Sequence, residues 1–236
     1  MTNIANNIAA VRAQINEAAQ NEQRNADQIT LLAVSKTRSS DELRQACATG
    51  QKDFGENYLQ EALDKIEQLR DETICWHFIG PIQSNKTRPI SENFDWVHSV
   101  DRLKIAQRLS AQRPADMPSL NICLQVNISA EESKSGFTPE TLLEALPEIV
   151  ELPNITVRGL MAIPASSDDP QQQRRPFAQL RELQQKIQTQ YPALEQLDTL
   201  SMGMSGDMAA AIAEGSTMVR IGTAIFGPRH YSNKKQ

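Results

Sequence analysis

Residues 29–55, ITLLAVSKTRSSDELRQACATGQKDFG, read as one strand–helix–strand unit. The run ITLLAV at 29–34 is short, apolar and β-branched, which marks a strand. Ser39, Ser40 and Asp41 then offer an N-cap, a helix continues through Ala48, and Gly50 ends it. A second, very short strand follows at 53–55. Two strands joined through a helix form a parallel pair.

The same alternation recurs on both sides of this unit. Upstream, Ile4, Ile8, Val11 and Ile15 repeat at helical spacing, so 2–22 is an opening helix. Downstream, strands are expected at 75–79, 95–99, 121–127, 157–163, 199–202 and 218–221. The expected helices are 56–70, about 83–92 after Pro81, 101–112, 138–150 with Pro139 in its first turn, 171–190, 206–214 ended by Gly215, and a short element at 224–226. Strict strand–helix alternation implies parallel strands with crossover helices. Eight such units in 236 residues fit a (β/α)₈ TIM barrel with an extra N-terminal helix, covering 1–236 as a single domain. A doubly wound open sheet, the rival α/β fold, usually carries G-x-G-x-x-G after its first strand, and this sequence does not. The polar stretch 164–175 is expected to be a long, mobile loop, and 234–236 a frayed tail.

Composition narrows the function. The net charge of −5 gives no basic field for nucleic acid. No apolar run reaches the ~20 residues of a membrane span, and 1–12 lack the pattern of a secretory signal. Three cysteines without a C-x-x-C pair imply reduced thiols and a cytoplasmic protein. Cys75 and Cys123 fall in apolar runs and read as core residues.

In a (β/α)₈ barrel the site lies at the C-terminal ends of the strands. The first strand ends in Ser35-Lys36-Thr37. Lys36 is either a rim cation or, if desolvated, a nucleophilic amine suited to a Schiff base. The seventh strand runs into Ser201-Met202-Gly203-Met204-Ser205-Gly206-Asp207, and the eighth ends in Arg220-Ile221-Gly222-Thr223. Small hydroxyl residues and glycines in the loops after strands seven and eight suit a phosphate. An amine facing a phosphate cradle suggests a phosphorylated aldehyde.

The segments LLAVSKT (31–37), FGENY (54–58), HFIGPIQSNK (77–86), SKSG (133–136), GLMA (159–162), SMGMS (201–205) and VRIGTAIFG (219–227) resemble the pyridoxal phosphate homeostasis protein family over nearly the whole chain. That family shares its barrel with the N-terminal domain of alanine racemases. One departure is Gly206, which stands where the resemblance leads one to expect an acidic residue.

The resemblance implies pyridoxal 5′-phosphate as cofactor, covalent on Lys36. It implies that Ser201, Gly222 and Thr223 hold the phosphate, that Arg220 faces the pyridine nitrogen, and that Asn57, His77 and Met161 line the ring. His98, His230, Trp76 and Trp96 read as packing residues, and Lys134, Lys234 and Lys235 as solvated surface charge. The implied role is a monomeric, non-catalytic binder that buffers the cofactor or delivers it to apo-enzymes. An arginine at the pyridine nitrogen stays charged and cannot stabilise a pyridinium. The chain ends soon after its eighth strand, so no second, racemase-type domain is expected, and Tyr231 is the one tyrosine expected near the site. The alternative is a minimal amino-acid racemase that uses Lys36 as its base.

Overall fold

The computed structural model describes residues 3–129, 134–167 and 169–228. Its eight strands are β1 (Thr30–Val34), β2 (Asp53–Glu56), β3 (Cys75–Phe78), β4 (Trp96–Val100), β5 (Leu120–Gln125), β6 (Ile155–Met161), β7 (Thr199–Ser201) and β8 (Met218–Ile221). All neighbours are parallel, in sequence order, and β8 closes on β1. The expected (β/α)₈ barrel is the observed one.

Nine helices surround it among the described residues: α1 (Ile4–Asn21), α2 (Ser40–Cys47), α3 (Leu59–Gln68), α4 (Thr87–Asn93), α5 (Leu103–Gln112), α6 (Pro139–Val150), α7 (Pro170–Gln190), α8 (Met208–Ala213) and α9 (Thr223–Phe226). Their starts are encoded locally. Ser39 and Glu42 form a capping box on α2, and Thr138 with Thr141 forms one on α6. The α1 stripe Ile4, Ile8, Val11 and Ile15 is buried against the flank of the barrel, beside α2, α8 and α9. Asn7 Nδ2 donates to Ile225 O at 2.8 Å, and Arg24, just after α1, donates to Ile212 O and Ser216 O, so α1 and the turn that follows it hold the last two helices.

Three of the differences from the sequence expectation have a visible local cause. Glu56 ends β2 rather than opening a helix, because its buried carboxylate pairs with Lys65, and α3 begins at Leu59. Half of the expected loop 164–175 is helical. Asp169 accepts from the N–H groups of Gln171 and Gln172 and starts α7 at Pro170. Helix α8 begins at Met208, since Asp207 Oδ1 accepts from Met204 N at 2.5 Å and closes a turn over 204–207. Of the two cysteines expected in the core, Cys123 is buried and Cys75 is only partly so.

Gly159 marks the tightest backbone approach in the barrel wall. A Cβ built there would fall on Thr199 O of the adjacent strand, so any side chain must part β6 from β7. Gly159→Ala is expected to cost about 3 kcal/mol or more in urea unfolding. Gly206→Ala, with nothing within 4 Å of its Cβ, is expected to change stability by less than about 1 kcal/mol.

Candidate functional site

Lys36 follows β1 and is held by its neighbours on both sides. Ser35 is fully buried; its hydroxyl donates to Glu56 Oε1 at 2.6 Å and its carbonyl accepts from Lys65 Nζ at 2.8 Å. Lys65 Nζ also donates to Glu56 Oε1 at 2.7 Å and Glu61 Oε1 at 2.6 Å, so its three protons have three acceptors. Glu61 Oε1 accepts from Thr37 N at 2.6 Å. Thr37 has φ +64°, a left-handed conformation that a threonine adopts only when its surroundings impose it. A buried ion cluster thus fixes the backbone before and after Lys36. Burial holds the Glu56 carboxyl above its ordinary range, opposed by Lys65 and Ser35. Its Oε2 is buried without a partner.

The Lys36 side chain is half-buried and lines a small cleft with Val34, Arg38, Gly222 and Thr223. Strand pairing explains this meeting: Ala33 lies opposite Ile221, so the residues that follow each strand emerge side by side. A Cβ on Gly222 would stand 3.1 Å from Val34 O, so the glycine keeps the two chains close. Thr223 and Ala224 are exposed, and as the first residues of α9 their N–H groups have no partner within the helix. Gly203, at φ +98°, turns the chain out of β7; a Cβ there would meet Ala211 Cβ at 2.6 Å. Asn57 follows β2 and opens onto a second cavity at the same end, of about 230 Å³, with Ile79, Gln125 and Lys134 among its lining residues. The Asn57 Oδ1 atom is buried without a partner.

Below the mouth the barrel axis is polar. Arg220 Nη1 donates to Ser201 O at 2.6 Å and Ser201 Oγ at 2.9 Å, and Nη2 donates to Ala162 O at 3.0 Å. Ser201 Oγ lies 2.7 Å from His98 Nδ1, His98 Nε2 lies 2.9 Å from His77 Nδ1, and His77 Nε2 lies 3.2 Å from Asp53 Oδ1. A guanidinium only donates and a carboxylate only accepts. One orientation therefore satisfies every link: Arg220 gives to Ser201, Ser201 to His98, His98 to His77, and His77 to Asp53. Burial, then the neighbouring His77 and Arg220, hold His98 well below the usual imidazole range. Burial lowers Arg220 to about 10, against the opposing charges of Asp207 and Cys123, and leaves it a cation at neutral pH.

The model of the family described as alanine racemase, N-terminal domain, matches residues 3–230. The pyridoxal phosphate homeostasis protein of Pseudomonas aeruginosa is 58% identical over 231 residues, covering 98% of both chains. That of Escherichia coli is 51% identical, covering 99% of this chain and all of the relative. The chain belongs to the pyridoxal phosphate homeostasis protein family. PipY of Synechococcus elongatus, solved with PLP bound, is similar at 37% identity and TM-score 0.83, covering 95% of this chain and all of PipY. Alanine racemase of Corynebacterium glutamicum, at 20% identity and TM-score 0.67, shares the fold; the match covers 99% of this chain and 62% of the racemase.

Against the family expectation, the structure gathers Lys36, Gly222 and Thr223 in one cleft and sets Asn57 at the neighbouring opening. Arg220, two residues before Gly222 on β8, is 5% exposed. Two residues are placed otherwise. The Ser201 hydroxyl, expected at the phosphate, is fully buried and committed to Arg220 and His98. His77, expected beside the ring, is buried in the axial chain and stacks on Trp96 at 5.5 Å. Met161 is buried in β6, opposite Ser201. His98 is a packing histidine as expected, but it also links Ser201 to the floor of the barrel. Trp76 is buried as a packing residue, whereas Trp96 is half-exposed, with His77 and Arg158 against its ring. Tyr58, unnoticed in the sequence, follows Asn57 at the mouth and is 54% exposed. Ser133, His230, Tyr231, Lys234 and Lys235 lie outside the described residues.

A histidine whose folded-state pKa is depressed contributes stability that is full above its unfolded value near 6.5 and is lost as pH falls from there. Urea unfolding at pH 6.5 and 5.5 is expected to show about 1 kcal/mol more acid loss in the parent chain than in His98→Gln. Lys65→Ala, which strands a buried carboxylate, is expected to cost about 3–5 kcal/mol in the same assay, and the pair Glu56→Leu/Lys65→Met to recover most of it.

Proposed function

We propose that this chain binds pyridoxal 5′-phosphate at the barrel mouth, covalently through Lys36, and acts in the cytoplasm as a monomeric store that buffers the cofactor or passes it to apo-enzymes. The carrying observation is the cleft that Lys36 shares with Gly222 and Thr223. When bound, the cofactor supplies an aldehyde that condenses with a primary amine. The chain supplies the amine on a rigid backbone, an anion cradle beside it and a cation beneath.

The residues present fit such a group. The exposed N–H groups of Thr223 and Ala224 and the Thr223 hydroxyl can take a phosphate, with Gly222 keeping the approach open. The loop after β7 adds Ser205. Strand β7 pairs with β8, and Gly203 O still accepts from Arg220 N, so Ser205 sits in the loop that leaves β7 beside the end of β8. Ser205 is exposed, whereas Ser201 is not. The role expected of Ser201 at the phosphate therefore passes to Ser205, and Ser201 instead aims Arg220. Asn57 offers an unpartnered buried oxygen to a ring substituent that donates.

The same geometry supports binding without amino-acid chemistry. A donor-only cation that remains charged near neutrality disfavours a protonated ring nitrogen, which an electron sink needs. No helix among the described residues is long and apolar enough to cross a membrane.

Borohydride reduction of the cofactor-loaded protein, followed by peptide mapping, is expected to place the added mass on Lys36; the mass on another lysine alone overturns the assignment. Ser205→Ala is expected to weaken cofactor binding about tenfold or more by equilibrium dialysis. Incubation with D- or L-alanine is expected to leave optical rotation unchanged with the parent chain and with Tyr58→Phe. Turnover at ordinary enzymatic rates would favour a minimal racemase.

A further inference from the structure

At the N-terminal end of the barrel, opposite the cofactor cleft, three side chains of different donor chemistry converge. Asp53 opens β2 and Cys75 opens β3, and the two residues pair across the ladder. His77, two residues after Cys75, projects from the same face of its strand. A carboxylate oxygen, a thiol sulfur and an imidazole nitrogen lie within 4.8 Å of one another, with His77 Nε2 3.2 Å from Asp53 Oδ1. Ligand atoms arranged tetrahedrally around Zn²⁺ stand about 3.3–3.7 Å apart, a spacing that the imidazole and carboxylate already have and to which pairs as wide as 4.8 Å must close by roughly 1 Å.

We propose that Asp53, Cys75 and His77 form a binding site for a thiophilic divalent cation of the Zn²⁺ class. The donor set selects the metal. One sulfur and one imidazole nitrogen disfavour Mg²⁺ and Ca²⁺, which prefer oxygen, and suit Zn²⁺ or Co²⁺. Charge also balances, because one carboxylate and one thiolate neutralise a dication. The Asp53 side chain is 32% exposed, which provides an entry path and room for water as a fourth ligand.

The imidazole is already oriented as metal-binding histidines are. Its ring is fixed against Trp96 at an interplanar angle of 13°, and its Nδ1 is engaged by His98 Nε2. The proton balance follows. The cation takes the Nε2 lone pair, so the imidazole proton sits on Nδ1 and donates to His98. His98 in turn carries its own proton on Nδ1, toward Ser201. The Cys75 sulfhydryl proton leaves to solvent, one proton released for each cation bound. The cation would thus reverse the axial hydrogen-bond chain that ends on Arg220. The site stands independently of the cofactor reading, since none of its three ligands lines the mouth.

The test is a Co²⁺ titration of the full-length protein, followed by visible and near-ultraviolet absorption, with circular dichroism to establish that each variant is folded. The parent chain is expected to develop a thiolate-to-cobalt charge-transfer band that added Zn²⁺ removes and added Mg²⁺ does not. Cys75→Ser is expected to lose the band, and Asp53→Asn to weaken cobalt affinity at least about tenfold. Absence of the band in the parent chain overturns the proposal. So does its persistence in folded Cys75→Ser, which would place the metal on Cys47 or Cys123.

Discussion

The pairing of β1 with β8 is the contact on which the site depends. Residues 30–33 lie opposite residues 218–221, and this one ladder both closes the barrel and brings Lys36 beside Gly222 and Thr223 across nearly the full length of the chain. An open sheet with the same strands would leave these residues at opposite edges. Two devices secure the seam from outside. Helix α1 packs on α2, α8 and α9, Asn7 and Arg24 bond to Ile225 and Ile212, and Arg38, two residues after Lys36, donates to Gly227 O and Pro228 O. Lys36 and the Gly222–Thr223 segment are thus clamped from both ends of the sequence.

The barrel axis carries a second constraint. A barrel of this kind is usually filled with aliphatic layers. Here part of the filling is an arginine, a serine, two histidines and an aspartate, joined end to end. Buried polar groups are tolerable only when satisfied, and this chain satisfies each link because it begins on a pure donor and ends on a pure acceptor. The same order fixes how Arg220 points and keeps His98 uncharged. Arg220 on β8 and Asp53 at the floor of the barrel share one line of hydrogen bonds.

Much of this was legible in the sequence. Alternating apolar runs and capped amphipathic stretches marked the eight units, and the fold rule for strand ends led to Lys36, Gly222 and Thr223. What failed has a common physical source. Barrel strands are buried on both faces, so period-two alternation does not reveal which residues point inward. Ser201 and Ser205 therefore look alike in SMGMS, and only the end of β7 at Ser201 and the turn at Gly203 separate the buried one from the exposed one. His77 was expected at the cofactor ring and His98 in the core, and nothing in the sequence joins them because their link spans two strands. Glu56 looked like the start of a helix because nothing local betrays that Lys65, nine residues on, returns to neutralise it.

The β1–β8 seam also has a consequence in time. During synthesis from the N-terminus, Lys36 emerges long before Arg220, Gly222 and Thr223. Contacts of such long sequence separation form late, after most of the loop-closure entropy has been lost. A nascent chain thus displays an ordinary lysine until the eighth strand has been made and has paired with the first, and only then do Gly222 and Thr223 stand beside it. The surroundings of Lys36 are thereby reserved for chains whose barrel has closed.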